Sequence, residues 1–269
     1  MTAVHYLRCL RGIVVREALR FLHQRGRFIA ALVRPLVWLF IFAAGFRTVL
    51  GVSIIPPYET YVLYEVYITP GLIGMIQLFN GMQSSLSMVY DREMGSMKTL
   101  LVSPLPRWYL LTCKLLAGVA VSILQVYAFL IVAAFWEIDV PVLGYVSLLP
   151  ALVLSGLMLG ALGMLLSSAI KQLENFAGVM NFVIFPMFFA SSTLYPLWKI
   201  KESSLLLYNI CAFNPFTHAV EMIRFALYGQ VNTFSSLYVL ASLALFLGLA
   251  IYGYDPARGL IARRGEPAG

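Results

Sequence analysis

The charged side chains that could bind a partner are concentrated in residues 91–107, although only 12% of this 269-residue chain is charged. The stretch reads DREMGSMKTLLVSPLPR and lies between two long apolar runs. Charges of both signs beside apolar side chains suit noncovalent docking on a protein or a membrane surface. The chemistry that this segment offers is therefore binding, and the question it raises is what it contacts.

The same stretch has the pattern of a short amphipathic helix over about residues 91–103. Asp91 and Glu93 would lie in its first turn, where acidic side chains suit the positive end of the helix dipole. Pro104 would end the helix at or before Ser103, because the residue before a proline avoids the helical conformation. The apolar residues recur at helical spacing and share roughly one face. They are Met94, Met97, Leu100 and Leu101.

Motifs for catalysis and for nucleotide binding do not occur in the sequence. The dipeptide Gly-Lys is missing, so there is no P-loop for ATP, and neither H-E-x-x-H nor G-x-S-x-G is present. No paired carboxylates in the apolar runs suggest a proton or sodium relay. The histidines and cysteines are too dispersed for a metal cluster or a disulfide framework. They are His5, His23, His218, Cys9, Cys113 and Cys211. Energy for any work would have to come from another subunit.

The composition indicates an all-α, polytopic membrane protein. Hydrophobic residues make up 61% of the chain and the mean hydropathy is +0.85, whereas a soluble domain is about half apolar and a quarter charged. The net charge of +7 fits basic loops that face an anionic lipid leaflet better than it fits nucleic acid. Membrane lipid is therefore an expected partner, and nucleic acid is not.

Six apolar runs are each near the ~20 residues that a membrane span needs. Pro70 is expected to kink the second span. Gly156, Gly160 and Gly163 form a small-residue face on the fourth, which predicts close helix packing. Arg34 and Glu65 are the charges expected inside the membrane, and an ion-coupled carrier would need Glu65 for transport. The spans cover residues 28–50, 61–90, 108–135, 142–168, 176–195 and 234–254.

The distribution of basic residues predicts the orientation. Fourteen of the 19 Lys and Arg side chains fall at the two ends, in the even-numbered loops or, for Lys114, at the adjoining end of the third span. Only Lys199, Lys201 and Arg224 fall on the opposite side, and Arg34 and Arg47 lie within or near the first span. By the positive-inside rule, both termini and residues 91–107 are cytoplasmic. In residues 1–27, arginines alternate with apolar residues, which predicts an amphipathic helix on the membrane surface. It could be a plain anchor or could also contact a cytoplasmic partner.

Residues 196–230 lie outside by this rule, yet they remain rich in apolar residues. Short helices that dip into the membrane and return would explain this composition, provided that protein shields them. Asn214 and Pro215 can begin the second of these helices, and Gly229 follows its end. Glu221 and Arg224 are three residues apart and could pair on one helical face.

With these elements in place, the chain resembles the permease subunits of type-2 ABC exporters. An amphipathic N-terminal helix precedes the first span, as in that family. DREMGSMKTLLVSPLPRWYLLTCKLL resembles the family's R-E-x-G-[ST]-x-x-x-L-L-x-[ST]-P-[LI] stretch between spans two and three. NFVIFPMFFASSTLYPL resembles its fifth span, and FNPFTHAVEMIRFALYG resembles its N-P-[LF]-T-x-x-[IV]-x-x-[IL]-R element. These features occur along the whole chain in the family's order.

The resemblance implies a half-transporter: two six-span subunits, expected to be a homodimer, above two separate ATPase subunits that hold ATP and Mg²⁺. This chain itself would need no cofactor. The helix between spans two and three would be the coupling helix that seats in the ATPase, although a mere interfacial connector would show the same amphipathic pattern. The candidate ATPase contacts are Asp91, Arg92, Glu93, Gly95, Ser96, Lys98, Leu100 and Leu101.

In that family the two subunits pair around a central translocation path. By the same resemblance, residues 196–230 are similar to the re-entrant helices that cap the outer end of this path. The cap residues would be Asn214, Pro215, Glu221 and Arg224. Aromatic and Met residues of the fifth span could offer an adaptable apolar wall to substrate, and equally could face lipid or the core. They are Phe182, Phe185, Met187 and Phe189.

The sequence therefore predicts a cytoplasmic interfacial helix, residues 1–27, and a six-span transmembrane domain, residues 28–269. We expect the permease of an ATP-driven exporter in a bacterial cytoplasmic membrane, without catalytic activity of its own. Its substrate would be an amphipathic molecule, drug-like or lipid-linked, polysaccharides included. The alternative is a membrane-embedded enzyme or assembly factor that uses residues 91–107 to dock something other than an ATPase.

Overall fold

The described part of the computed structural model forms ten α-helices joined by turns, which confirms the predicted all-helical fold. Residues described are 3–23, 25–46, 56–58, 62–93, 105–135, 138, 141–170 and 172–254. The helices are α1 Ala3–His23, α2 Arg25–Phe46, α3 Tyr64–Glu93, α4 Arg107–Ala134, α5 Val142–Ala169, α6 Leu173–Phe189, α7 Leu197–Ser203, α8 Leu205–Phe213, α9 Pro215–Leu227 and α10 Thr233–Gly253.

Three helices in the described ranges are long and apolar enough to cross a membrane. They are Trp108–Ala134, Val142–Ala169 and Thr233–Gly253, and they coincide with the third, fourth and sixth predicted spans. Shorter apolar helices, Ile29–Ile41 and Leu173–Phe189, fall on the first and fifth. Helix α3 has 30 residues and coincides with the second. That α2, α3 and α6 also cross the membrane stays a prediction.

Helices α3 and α5 form the centre of the bundle, because α3 also contacts α2, α4, α6 and α9, and α5 also contacts α4, α9 and α10. The two backbones approach each other at Gly81 and Gly160. A Cβ atom added to Gly81 would lie 2.9 Å from the backbone nitrogen of Gly160, and one added to Gly163 would lie 2.9 Å from the carbonyl oxygen of Gly81. This confirms the close packing predicted for the small-residue face of the fourth span.

A buried polar network, which the sequence analysis missed, links the same helices. The side-chain amide nitrogen of Gln77 in α3 donates a 2.7 Å hydrogen bond to the carbonyl of Leu152 in α5, and the Ser155 hydroxyl donates to the Gln77 amide oxygen at 2.5 Å. Asn80 of α3 donates to the side chain of Gln125 in α4. Buried polar groups are costly unless they find such partners, so the network favours one alignment of α3 on its neighbours.

The end of the second predicted span differs from the expectation. Helix α3 continues to Glu93, so Asp91 and Glu93 lie in its last turn and do not begin a new helix. The prediction was wrong because the residues before Asp91, SSLSMVY, contain neither Gly nor Pro to break the helix. Acidic side chains are unfavourable at the negative end of a helix dipole, and for Asp91 a basic partner offsets this cost.

The first two helices and the loop of residues 196–230 agree more closely with the prediction. Helix α1 covers most of the predicted interfacial helix, and α2 begins at Arg25, three residues before the predicted span. Residues 196–230 contain α7, α8 and α9, and α9 begins at Pro215 as predicted. Gly229 follows the end of α9 with a φ of +69°, a conformation that glycine adopts at little cost. Re-entry of these helices into the membrane stays a prediction.

The glycine contact between α3 and α5 gives a matched pair of substitutions. We expect Gly81→Ala to destabilise the chain by about 1–3 kcal/mol, because the added methyl group meets backbone and not a movable side chain. Gly178→Ala in α6 is the control, since a Cβ there has no atom within 4 Å, and it should gain up to about 1 kcal/mol. Thermal unfolding of the purified chain in detergent measures both; equal midpoints would contradict this packing.

Candidate functional site

Three helices meet where α3 leads into the predicted coupling segment. The Nζ atom of Lys114 in α4 donates a 2.8 Å hydrogen bond to the Asp91 carboxylate of α3, and both side chains are largely buried. Arg16 of α1 reaches the same carboxylate at 4.0 Å and also pairs with Glu17 at 3.0 Å. A buried pair with a nearby second cation fixes the end of α3 against α1 and α4.

A second contact holds α1 on α4. The Tyr109 hydroxyl of α4 donates a 2.6 Å hydrogen bond to the carbonyl of Tyr6, and the two rings meet edge to face with 4.9 Å between centroids. Along the rest of α1, large apolar side chains are exposed: Val4, Leu7, Val15 and Leu19. An exposed apolar face beside arginines is typical of a helix that lies on a membrane surface, which remains the prediction for α1.

Most of the predicted coupling residues lie beyond Asp91. Arg92 and Glu93 complete α3. The others are outside the described residues: Gly95, Ser96, Lys98, Leu100 and Leu101. Their contact with an ATPase stays a prediction. For Asp91 the structure shows an intramolecular partner, and its contribution would then be to hold the segment in place.

The predicted path residues lie on the exposed face of α6. Phe182, Phe185 and Phe189 are exposed, and Met187 is half-buried. Phe185 and Phe189 stack with 6.3 Å between their ring centroids. Phe188, one residue earlier than Phe189, points to the core and is 1% exposed. The structure thus places these aromatic residues on one face, whereas their contact with substrate stays a prediction.

Asn214 joins the ends of two helices. Its side-chain oxygen accepts a 3.0 Å hydrogen bond from the backbone N–H of Phe216 and so caps α9. Its amide nitrogen donates to the carbonyls of Met187 and Ala190, at 2.8 and 2.6 Å. These two carbonyls belong to the end of α6, where helical partners run out. One side chain therefore satisfies the start of α9 and the end of α6, and Pro215 follows at the first helical position.

Arg224 is buried at the end of the bundle opposite Asp91. It pairs with Glu221, which confirms the predicted pairing. Its Nη2 atom also donates a 3.0 Å hydrogen bond to the carbonyl of Ser192, and its guanidinium lies 4.3 Å from the centre of the Tyr67 ring of α3. A cation over an aromatic face is favourable when water is excluded. Sequence spacing found Glu221 but carried no signal for Tyr67 or Ser192, because both lie far away in the chain.

Comparisons with known proteins find one family model and several relatives. A family model described as ABC-2 type transporter matches residues 9–228. The chain is 30% identical over 164 residues to the probable multidrug ABC transporter permease YbhR of Escherichia coli K12, a match that covers 60% of this chain and 43% of YbhR, less than half of its length.

Two further relatives match other lengths of the chain. The putative transport permease ycf38 of Cyanophora paradoxa is 25% identical over 260 residues, which cover 93% of this chain and 85% of the relative. Nodulation protein J of Rhizobium leguminosarum is 29% identical over 82 residues, 30% of each chain. The longest of these matches covers 93% of the chain. It therefore includes the predicted coupling segment and also the Arg224 cluster, which consists of Arg224, Glu221, Ser192 and Tyr67.

Removing one partner of the buried pair should be far more costly than removing an exposed charge. We expect Lys114→Met to destabilise the chain by about 3–5 kcal/mol, because it removes the buried cation that lies 2.8 Å from the Asp91 carboxylate. Arg16→Met, at a side chain that is 50% exposed, should cost about 0–1 kcal/mol. Chemical unfolding in detergent measures the free energy of unfolding of both variants. Similar losses in the two would show that the Lys114–Asp91 pair contributes no more to stability than an exposed charge.

A substitution that changes one atom of the Asn214 side chain can separate its two roles, as acceptor for α9 and as donor to α6. Asn214→Asp keeps the acceptor for Phe216 but replaces the amide donor by an oxygen that faces two carbonyls, and we expect a loss of about 1–3 kcal/mol. Asn232→Asp is the control, because Asn232 caps α10 only as an acceptor in the bonds described. A charge there should be neutral or stabilising. Thermal midpoints that fall equally in both would show that the contacts to α6 contribute nothing.

Proposed function

The chain belongs to the ABC-2 type transporter family, and on that premise we propose that it is the membrane permease subunit of an ATP-driven exporter. The family match over residues 9–228 carries this proposal. Relatives are named as permeases, and we assign this chain no catalytic activity of its own. A separate ABC ATPase subunit would bind ATP and Mg²⁺ and would supply the energy.

We assign residues 91–103 to the contact with that ATPase. Helix α3 ends at the start of this segment and is fixed there by the Lys114–Asp91 pair. At 1.5 Å per residue its 30 residues extend about 45 Å, and near its other end Tyr67 contacts Arg224 of α9. A displacement of the coupling segment would thus move α3, the helix at the centre of the bundle. A transporter with two conformations requires such a link, because the event at the ATPase must favour one conformation over the other.

The assembly that follows from this plan has two permeases and two ATPases. We propose a homodimer of the chain, with the exposed aromatic face of α6 directed to the path or to the dimer contact. Phe182, Phe185 and Phe189 would contact an amphipathic substrate, drug-like or lipid-linked, and half-buried Met187 would adapt to it. The name of YbhR, a probable multidrug permease, supports this class of substrate.

We place the chain in a bacterial cytoplasmic membrane with six spans and both termini in the cytoplasm. The Asp91 end of α3 is then cytoplasmic, and the Arg224 cluster lies at the outer end of the path. Helices α7, α8 and α9 would form the re-entrant cap, in which Asn214 and Pro215 begin α9 and the Glu221–Arg224 pair holds it to α3. The excess of basic residues at the ends and in the even-numbered loops supports this orientation.

The proposal is tested by co-purification with the ATPase encoded beside this chain. We expect a complex of two permeases and two ATPases with measurable ATP turnover. Glu93→Lys should lower the amount of bound ATPase or its substrate-stimulated turnover by about tenfold, since it reverses a charge in the docking surface. Glu202→Lys is the matched control, because Glu202 is exposed on α7 at the opposite end of the bundle.

Two results would overturn the assignment. Normal complex yield and turnover in Glu93→Lys would remove residues 91–103 from the ATPase contact. A chain that binds no ATPase with any nucleotide would favour the membrane-embedded enzyme or assembly factor. Thermal unfolding of both variants distinguishes loss of docking from loss of folding.

A further inference from the structure

We propose that a cavity between α3, α7 and α9 binds a neutral, hydroxyl-rich ring, the chemistry of a glycosyl group. The cavity lies at the end of α3 opposite Asp91 and has a volume of about 190 Å³. Its lining includes three aromatic residues and an ion pair: Tyr58, Tyr67, Trp198, Glu221 and Arg224. A cavity of about 150 Å³ accommodates one benzene ring, so this one has room for a single substituted ring and not for a drug-sized molecule.

Two polar groups on residues that line the cavity are buried without a hydrogen-bond partner among the described residues. They are the hydroxyl of Tyr58 and the Nε–H of Arg224. The Tyr58 ring is held in place by the ring of Tyr228, with 5.1 Å between centroids. Burial raises the pKa of the Tyr58 phenol, which keeps the hydroxyl neutral and able to donate. Unsatisfied buried groups are costly, and a ligand that accepts from both would remove that cost.

The charges of the cavity indicate the class of ligand. The guanidinium of Arg224 is balanced by Glu221 and anchored by the carbonyl of Ser192. A phosphate would be attracted by Arg224 but repelled by the carboxylate, and an ammonium group would meet the reverse situation. Hydroxyl groups both donate and accept, so they suit Tyr58, Arg224 and Glu221 together without adding charge.

Aromatic side chains supply the remaining surface. Trp198 of α7 lines the cavity and is 41% exposed, whereas Tyr67 is buried beneath Arg224. The C–H face of a sugar ring is apolar and packs on an aromatic ring, while its hydroxyl edge reaches polar groups. A flat apolar wall beside a charge-balanced polar edge matches these two faces.

Such a group could be a glycolipid headgroup in the bilayer or a free sugar, and two probes separate the sources. The full chain is placed in phosphatidylcholine nanodiscs and titrated with methyl β-D-glucopyranoside, or prepared with rising fractions of monoglucosyl diacylglycerol. Phosphatidic acid is the anionic control. The signal is the tryptophan fluorescence change that Trp198→Phe removes. A saturable response to either glucosyl probe supports the site and identifies its source; a response to neither, or to phosphatidic acid alone, overturns it.

A pair of tyrosine variants separates ligand binding from folding. Tyr58→Phe removes a hydroxyl without a described partner, so it should weaken the glucosyl response by roughly 3- to 10-fold and leave the unfolding midpoint unchanged or higher. Tyr67→Phe removes a hydroxyl that donates to Ser192 at 2.9 Å, so it should lower the midpoint and weaken the response less. Unchanged binding in Tyr58→Phe overturns the proposal.

Charge balance gives an independent test with the same apparatus. Glu221→Gln leaves Arg224 without its carboxylate and should shift the preference of the cavity from methyl glucoside to methyl glucuronide, whose ring carries a negative charge, by at least tenfold. No change in this preference contradicts the assigned role of the Glu221–Arg224 pair. This binding site does not depend on whether the chain exports anything, because no ATPase or transport step enters the measurement.

Discussion

The contact of α3 with α5 at Gly81 and Gly160 is the constraint on which the rest of the structure depends. A Cβ at Gly81 would meet backbone, not side chain, so the two helices approach more closely than ordinary residues allow. Helices α4, α9 and α10 pack against α5, and α2, α4, α6 and α9 against α3. The place of every longer helix in the described bundle is therefore set, directly or through one neighbour, by this contact.

Helix α3 also connects the two buried ionic clusters described above, one around Asp91 and one around Arg224. Its last turn contributes Asp91 to the pair with Lys114, and its first turn contributes Tyr67, whose ring lies beneath Arg224. Both clusters contain a buried cation with a carboxylate partner, and such groups tolerate little displacement because an unpaired buried charge is costly. A movement at one end of α3 must bend the helix, most easily near Pro70, or disturb the contacts at the other end.

The sequence predicted features that depend on local order. The start of α9 at Pro215, the glycine after its end, the pairing of Glu221 with Arg224 and the close-packed glycines of α5 all follow from spacing within one segment. Features that depend on how helices align could not be found in this way. Asp91 and Lys114 are 23 residues apart, and Tyr67 and Arg224 are on different helices. The end of α3 was misplaced because acidic residues alone do not begin a helix when nothing breaks the preceding one.

The polar network of α3 has a consequence for how the chain is made. Gln77 finds its partners at Leu152 and Ser155, and Asn80 finds Gln125. A ribosome that has completed α3 has not yet produced any of these residues. If α3 is a span, the Gln77 amide would therefore enter lipid without these partners, at a high free-energy cost, whereas Asn80 can already donate to the carbonyl of Ile76 in its own helix. In the proposed six-span arrangement, α3 would therefore stay beside the insertion machinery until α4 and α5 emerge. The early spans would then leave that machinery as one group of helices, not one by one.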